Sequence, residues 1–82
     1  MTAKRVIELM TDVTEFSYTH SDIAKPLLTY DRTTNIITCG VRSYKATPEK
    51  LDKYFGNVDA TYMVLSSRNV LHMAGGTENC GI

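Results

Sequence analysis

Apolar residues recur at every third or fourth position along the first part of the chain. Because this spacing places them on one side of a helix, it predicts an amphipathic helix over residues 2–16. Ile7 lies just beside the apolar stripe, where its side chain would widen the stripe or contact a partner. The stripe itself consists of Val6, Leu9, Met10, Val13 and Phe16.

A second, shorter helix is predicted over residues 47–56, where the chain carries both start and stop signals. Thr47 can accept a hydrogen bond from the first free amides, and Pro48 fits a first-turn position that needs no N–H donor. Glu49 complements the positive end of the helix dipole. Gly56 is expected to end the helix in the left-handed conformation.

Runs of β-branched and aromatic residues flank two polar segments that are typical of turns, residues 31–34 and 66–69. Each combination predicts a β-hairpin. Gly40 then separates the first hairpin from one further short strand. The predicted strands occupy residues 27–30, 35–39 and 41–45, with two more inside residues 60–73.

The order of these elements, α-β-β-(β)-α-β-β, predicts a small α+β fold. An antiparallel sheet with two helices packed on one face is the simplest arrangement that buries all the apolar stripes. We expect residues 1–75 to form a single compact domain. Residues 76–82 follow a glycine and lack apolar periodicity, so a flexible C-terminal tail is expected there. An uncovered sheet edge is expected at residues 70–73.

The composition limits the classes of partner. Nine basic and nine acidic side chains cancel, which argues against strong electrostatic attraction to nucleic acid or anionic lipid. No apolar run approaches the ~18 residues of a transmembrane helix, so no membrane insertion is expected. With only two cysteines, Cys39 and Cys80, a reducing cytoplasm with free thiols is the default expectation. A chain of 82 residues builds a thin core, so a homodimer is an open alternative to a monomer.

The residues that could carry chemistry do not fall into the spacings that chemistry requires. The potential metal ligands show no paired spacing, so no metal site is expected. Cys39 and His72 could form a thiol and base pair only if the sheet brought them together, and a packed thiol is the preferred interpretation. We therefore expect no enzyme, no cofactor and no metal. The ligands considered are His20, Asp22, Cys39, His72 and Cys80.

These features favour a small, non-enzymatic, cytoplasmic binding or regulatory protein that acts through contact with another protein. Small proteins without catalytic motifs are often encoded by phages or mobile elements, where they inhibit a host or viral protein, and we expect a protein of that kind. The residues expected to contact the partner are Ile7, Glu8, Asp12, Met63, Leu65 and Met73.

The alternative is a nucleic-acid-associated regulator. A cluster of cations in the middle of the chain would bind phosphates, and tyrosines on an open sheet face would stack on bases. The cations of this patch are Arg42, Lys45, Lys50 and Lys53, and the tyrosines are Tyr30, Tyr44 and Tyr62.

Overall fold

Six strands form one mixed sheet in the computed structural model, which describes residues 1–20 and 26–75. Both helices pack on one face of this sheet, which confirms the predicted α+β class. The predicted tail, residues 76–82, lies outside the described residues. In chain order the elements are α1 (Ala3–Leu9), β1 (Glu15–His20), β2 (Pro26–Asp31), β3 (Ile36–Cys39), β4 (Arg42–Lys45), α2 (Pro48–Phe55), β5 (Tyr62–Leu65) and β6 (Val70–Gly75).

The strand order across the sheet is β4-β3-β2-β1-β6-β5. All neighbouring strands are antiparallel except β1 and β6, which run parallel in the interior of the sheet. An antiparallel sheet was expected. The parallel pair was not expected, because the sequence pattern did not predict strand β1. None of the described helices is long and apolar enough to cross a lipid bilayer.

The first helix ends at Leu9, seven residues before the predicted end. The guanidinium of Arg32 donates hydrogen bonds to the carbonyl oxygens of Ile7 and Met10, both at 3.0 Å, and so caps the helix end. It also donates to the carbonyl of Val13 at 3.0 Å, which holds the turn that follows. Polar and β-branched residues at 11–14 are poor helix formers, so the chain leaves the helix there.

Strand β1 explains why the helical spacing was misleading. Phe16 and Tyr18 are both buried and lie on the face of the sheet that the helices cover. Glu15, Ser17 and Thr19 alternate with them and belong to the opposite face, which we call the open face. The large apolar side chains of β1 thus follow a period of two, although Ser17 between them is also buried. Val13 and Phe16 happened to continue the helical stripe.

The hydrophobic core lies between the two helices and the helix-covered face of the sheet. Phe55 of α2 meets Tyr30 edge-on, with ring centroids 6.4 Å apart. The two helices are joined by the Lys4 ammonium, which lies 2.7 Å from the Asp52 carboxylate and whose pKa that contact raises. The largest fully buried side chains are Tyr18, Phe16, Phe55, Leu28, Ile37, Met73, Val6 and Val58.

The two predicted hairpins are confirmed as β2–β3 and β5–β6. Asn35 and Asn69 end the respective turns with φ angles of 61° and 63°, a left-handed conformation that asparagine tolerates. Helix α2 begins as predicted, with the Thr47 hydroxyl accepting a hydrogen bond from the amide of Lys50. Gly56 has a φ of −75°, so the predicted left-handed exit is wrong.

The uncovered sheet edge lies on β5 and not at residues 70–73. Strand β6 is an interior strand, because β1 pairs with its other side in parallel. The prediction placed the edge one strand too far inward because the sequence pattern assigned residues 15–16 to a helix and predicted no strand over residues 17–20. The two edges of the sheet are β4 and β5.

Candidate functional site

The two edge strands differ in how they are protected. Strand β4 carries Arg42 and Lys45, and charged side chains on an edge discourage pairing with another chain. Strand β5 carries no charge and is exposed along its whole length. Its four residues, Tyr62, Met63, Val64 and Leu65, are 70%, 49%, 56% and 52% exposed. An uncharged, apolar, exposed edge is the usual template for strand addition.

The side chains of β5 alternate between the two faces of the sheet. Met63 and Leu65 pair with Met73 and Leu71 of β6, which are core residues, so they lie on the helix-covered side. Tyr62 and Val64 therefore lie on the open side. Neither helix reaches far enough to cover β5, and this leaves both sides of the strand in solvent.

A shallow apolar groove of about 190 Å³ adjoins β5 on the helix-covered side. It forms because the start of the chain is tied to the residues before β5. The amide of Ala60 donates to the carbonyl of Met1 at 2.8 Å, and Thr2 bridges to Asp59. The groove is lined by Met1, Val6, Leu9, Met10 and Met63.

We call the exposed residues of this region the β5 surface: Met1, Leu9, Met10, Tyr62, Met63, Val64 and Leu65. Among the described residues, eight large apolar side chains are exposed, and seven of them belong to the β5 surface. The exception is Val41, in the turn between β3 and β4. The exposed apolar side chains are therefore concentrated in one region, which is typical of an interaction site.

The predicted contact residues divide into three groups. Met63 and Leu65 are exposed and lie on the β5 surface. Ile7 and Met73 are only 3% and 1% exposed, so they belong to the core and cannot form part of a binding surface. Ile7 faces inward because the buried side of α1 is formed by Ala3, Val6 and Ile7.

Glu8 and Asp12 are both exposed, but only Asp12 lies beside the β5–β6 turn. Glu8 lies on the side of α1 that faces α2, because its ion-pair partner Lys4 also contacts Asp52. The Glu8 carboxylate lies within 3.7 Å of the Lys4 ammonium and 3.4 Å of the Arg5 guanidinium, which are surface ion pairs within the helix. The backbone carbonyl of Asp12 accepts a hydrogen bond from the Asn69 side chain.

Sequence reasoning missed Met1, Leu9 and Met10 as surface residues. Leu9 and Met10 were assigned to the core stripe, but a helix that ends at Leu9 leaves both side chains over the groove. Thr11 and Thr14 carried the available signal, since two β-branched polar residues within one predicted turn disfavour continuation of the helix.

The predicted basic patch is partly brought together. Arg42 lies on the helix-covered face with Tyr44, which stacks on Tyr54 at a centroid distance of 5.7 Å. The Lys50 ammonium lies 4.5 Å from the Tyr44 ring centroid, and the Lys53 ammonium lies 5.4 Å from that of Tyr54. Lys45 pairs with Ile36, on the open face, and is thereby separated from the other three.

The tyrosine pair has perturbed acidities. Arg42 is the main cause of a lowered pKa at Tyr44, and Tyr54 and Lys50 add to it, because they favour the charged phenolate. Burial raises the pKa of Tyr54, and its neighbour Tyr44 raises it further. Tyr30 is buried in the core and Tyr62 lies on the open side of β5. The three tyrosines expected on an open face therefore do not share one.

A second groove, of about 410 Å³, lies on the open face. Glu15 and Asp31 stand directly opposite each other along it, although like charges in this position destabilise a sheet. The Asp31 carboxylate also accepts a hydrogen bond from the amide of Thr33 at 2.8 Å, which orders the β2–β3 turn. Within residues 1–20 and 26–75, no three His, Cys, Asp or Glu side chains are grouped as metal ligands.

Cys39 and His72 are not brought together. Cys39 packs against the core on the helix-covered face, whereas His72 is exposed on the open face. Two strands, β2 and β1, also separate their strands in the sheet. A thiol and base pair built on these residues is therefore not supported. Of the other potential ligands, Asp22, Cys80 and the side chain of His20 lie outside the described part of the chain.

No protein-family model, curated protein or solved structure matches this chain.

Proposed function

We propose that this protein is a non-enzymatic binding protein that acts through contact with another protein at its β5 surface. The observation that carries the proposal is the concentration of exposed apolar side chains on and beside one uncharged edge strand. The proposal includes a cytoplasmic, regulatory role, of the kind that phage-encoded or mobile-element-encoded inhibitors have. The support for that role is the small size and balanced charge of the chain.

The mode of contact that fits the β5 surface is strand addition. An extended segment of the partner would extend the sheet at β5 through main-chain hydrogen bonds, which supply affinity for almost any sequence. Specificity would come from the side chains. One side of the added strand would face Met63, Leu65 and the groove, and the other side would face Tyr62 and Val64.

The experiment is a capture from native cell extract with a photocrosslinking amino acid placed at position 63, followed by binding measurements with the purified captured protein. We expect Met63→Lys to weaken binding about tenfold or more, since it places a charge in an apolar contact. The matched control is Ser43→Lys on the β4 edge, which should leave binding unchanged. Equal binding by the wild-type protein and both variants would contradict the proposal.

A second candidate function, contact with a nucleic acid, is favoured by the grouping of Arg42, Lys50 and Lys53 around the Tyr44–Tyr54 pair. Its test is retention on heparin and on single-stranded DNA at two salt concentrations. Lys50→Ala with Lys53→Ala should reduce retention if this function is real, and Lys45→Ala, on the opposite face, serves as the control. Elution of the wild-type protein at low salt would contradict it.

A further inference from the structure

We propose that the protein bound at β5 is a second copy of this chain, paired with the first about a two-fold axis so that the two sheets become one continuous sheet. This inference rests on the proposed function, because it requires β5 to be a contact surface. It adds the identity of the partner and the register of the pairing.

The direction of the free main-chain groups on β5 can be derived from the hairpin. The amide of Ser66 donates to the carbonyl of Val70 at 2.9 Å, so the polar groups of Ser66 point toward β6. In an antiparallel strand the N–H and C=O of one residue point to the same side and alternate along the strand. The main-chain N–H and C=O groups of Val64 and Tyr62 therefore also point toward β6. Those of Met63 and Leu65 point away from β6, into solvent.

This alternation and the apolar side chains of β5 together select a register. A two-fold axis perpendicular to the sheet keeps the helices of both copies on the same side. A residue whose main-chain groups point toward the second copy must then lie opposite a residue whose groups point back toward the first. When Val64 lies on the axis, opposite Val64 of the second copy, Met63 lies opposite Leu65 and exchanges both main-chain hydrogen bonds with it. The outward groups of Met63 and Leu65 are then satisfied in both copies, and the paired side chains are apolar on both faces.

The charges of the chain fit self-association and limit it to two copies. The contact strand carries no ionisable side chain other than the Tyr62 phenol, and the formal net charge is zero, so two copies do not repel each other. The other edge, β4, carries Arg42 and Lys45 and has no comparable apolar surface. An isologous contact through the single unprotected edge closes after two copies, whereas two open edges would give a filament.

The β5 surface is close in size to one side of a standard protein–protein interface. A half-exposed large apolar side chain offers roughly 100 Å², and seven such side chains approach the roughly 800 Å² per partner of a standard interface. In the proposed register, Leu65 of the second copy lies beside Met63, at the open side of the groove. Strand pairing and filling of the groove thus use the same residues.

The register is tested by disulfide crosslinking in a Cys39→Ser, Cys80→Ser background. The two Val64 residues form a non-hydrogen-bonded pair with a Cα separation of about 4.5 Å, which a disulfide can span. Val64→Cys should therefore crosslink into a covalent dimer under mild oxidation. Met63→Cys should not, because the two Met63 residues are diagonal neighbours about 7–8 Å apart. Crosslinking of Met63→Cys in preference to Val64→Cys would overturn the register.

Sedimentation of the full chain over a wide range of concentrations tests the second copy itself. We expect a dimer, and we expect Met63→Lys or Leu65→Lys to weaken dimerisation about tenfold or more while Ser43→Lys does not. A dimer that neither variant weakens and that Val64→Cys does not crosslink would overturn the inference. A monomer at all concentrations would overturn it too. If the protein is a monomer but Met63→Lys weakens binding of a captured protein, the proposed function stands and only the second copy is excluded. If Met63→Lys does not weaken that binding, the proposed function and the inference both fail.

Discussion

Arg32 has a structural role that its position in a turn does not suggest. Its guanidinium donates to three backbone carbonyls, those of Ile7, Met10 and Val13, and lies 5.3 Å from the centre of the Phe16 ring. It thereby fixes both the end of α1 and the turn into β1. Since Leu9 and Met10 lie at that end, Arg32 also holds one side of the groove in place.

Arg32→Ala should lower the free energy of unfolding by roughly 1.5–3 kcal/mol, because the carbonyls lose a charged donor. Chemical denaturation followed by circular dichroism measures this value. Arg42→Ala serves as the control, since Arg42 is exposed and its loss should change stability by less than about 0.5 kcal/mol. Equal stability of Arg32→Ala and the wild-type protein would show that water replaces the guanidinium.

Two residues of α1 allow a direct comparison of core and surface. Ile7→Ala should destabilise the fold by about 2–5 kcal/mol, because Ile7 is buried and its truncation leaves a cavity. Leu9→Ala should have a much smaller effect, since Leu9 is half exposed at the groove. Denaturation curves of the two variants test this order, and the reverse order would place Leu9 in the core, as the helical stripe alone predicted.

At the scale of elements, helices and strands could be predicted where the residues that form their turns and caps are close together in the sequence. The β2–β3 and β5–β6 hairpins and the start of α2 depend on residues within a few positions of each other. Strand β1 was not predictable in this way. Its identity depends on pairing with β2 and, in parallel, with the distant β6. The alternation of Phe16 and Tyr18 with polar neighbours was the available signal, and the helical spacing of Val13 and Phe16 concealed it.

The N-cap of α2 gives a prediction at this scale. Thr47→Ala removes the hydroxyl that accepts a hydrogen bond from the amide of Lys50 and should destabilise the protein by about 0.5–2 kcal/mol. Thr47→Ser keeps the hydroxyl and should retain most of the stability. Urea denaturation of the three proteins distinguishes the cap from a general effect of the position, which would make the Ser and Ala variants equally unstable.

At the scale of the whole molecule, the location of the candidate site followed from the sequence only in part. Met63 and Leu65 were predicted because they lie in an apolar hairpin strand, and both are exposed. Met73 was included for the same reason, yet it is buried because β6 is an interior strand. Which strand forms the edge is a property of the complete sheet. The apolar composition of a strand therefore could not distinguish Met63 from Met73.

The claim that β5 is the contact surface is tested most directly by hydrogen exchange at single amides. The amides of Met63 and Leu65 point outward, whereas those of Tyr62 and Val64 point toward β6 and provide an internal control. At concentrations where the second copy is bound, or with a captured partner present, the exchange of Met63 and Leu65 should slow markedly. Tyr62 and Val64 should change much less. Fast exchange at Met63 and Leu65 in every bound state would contradict the account.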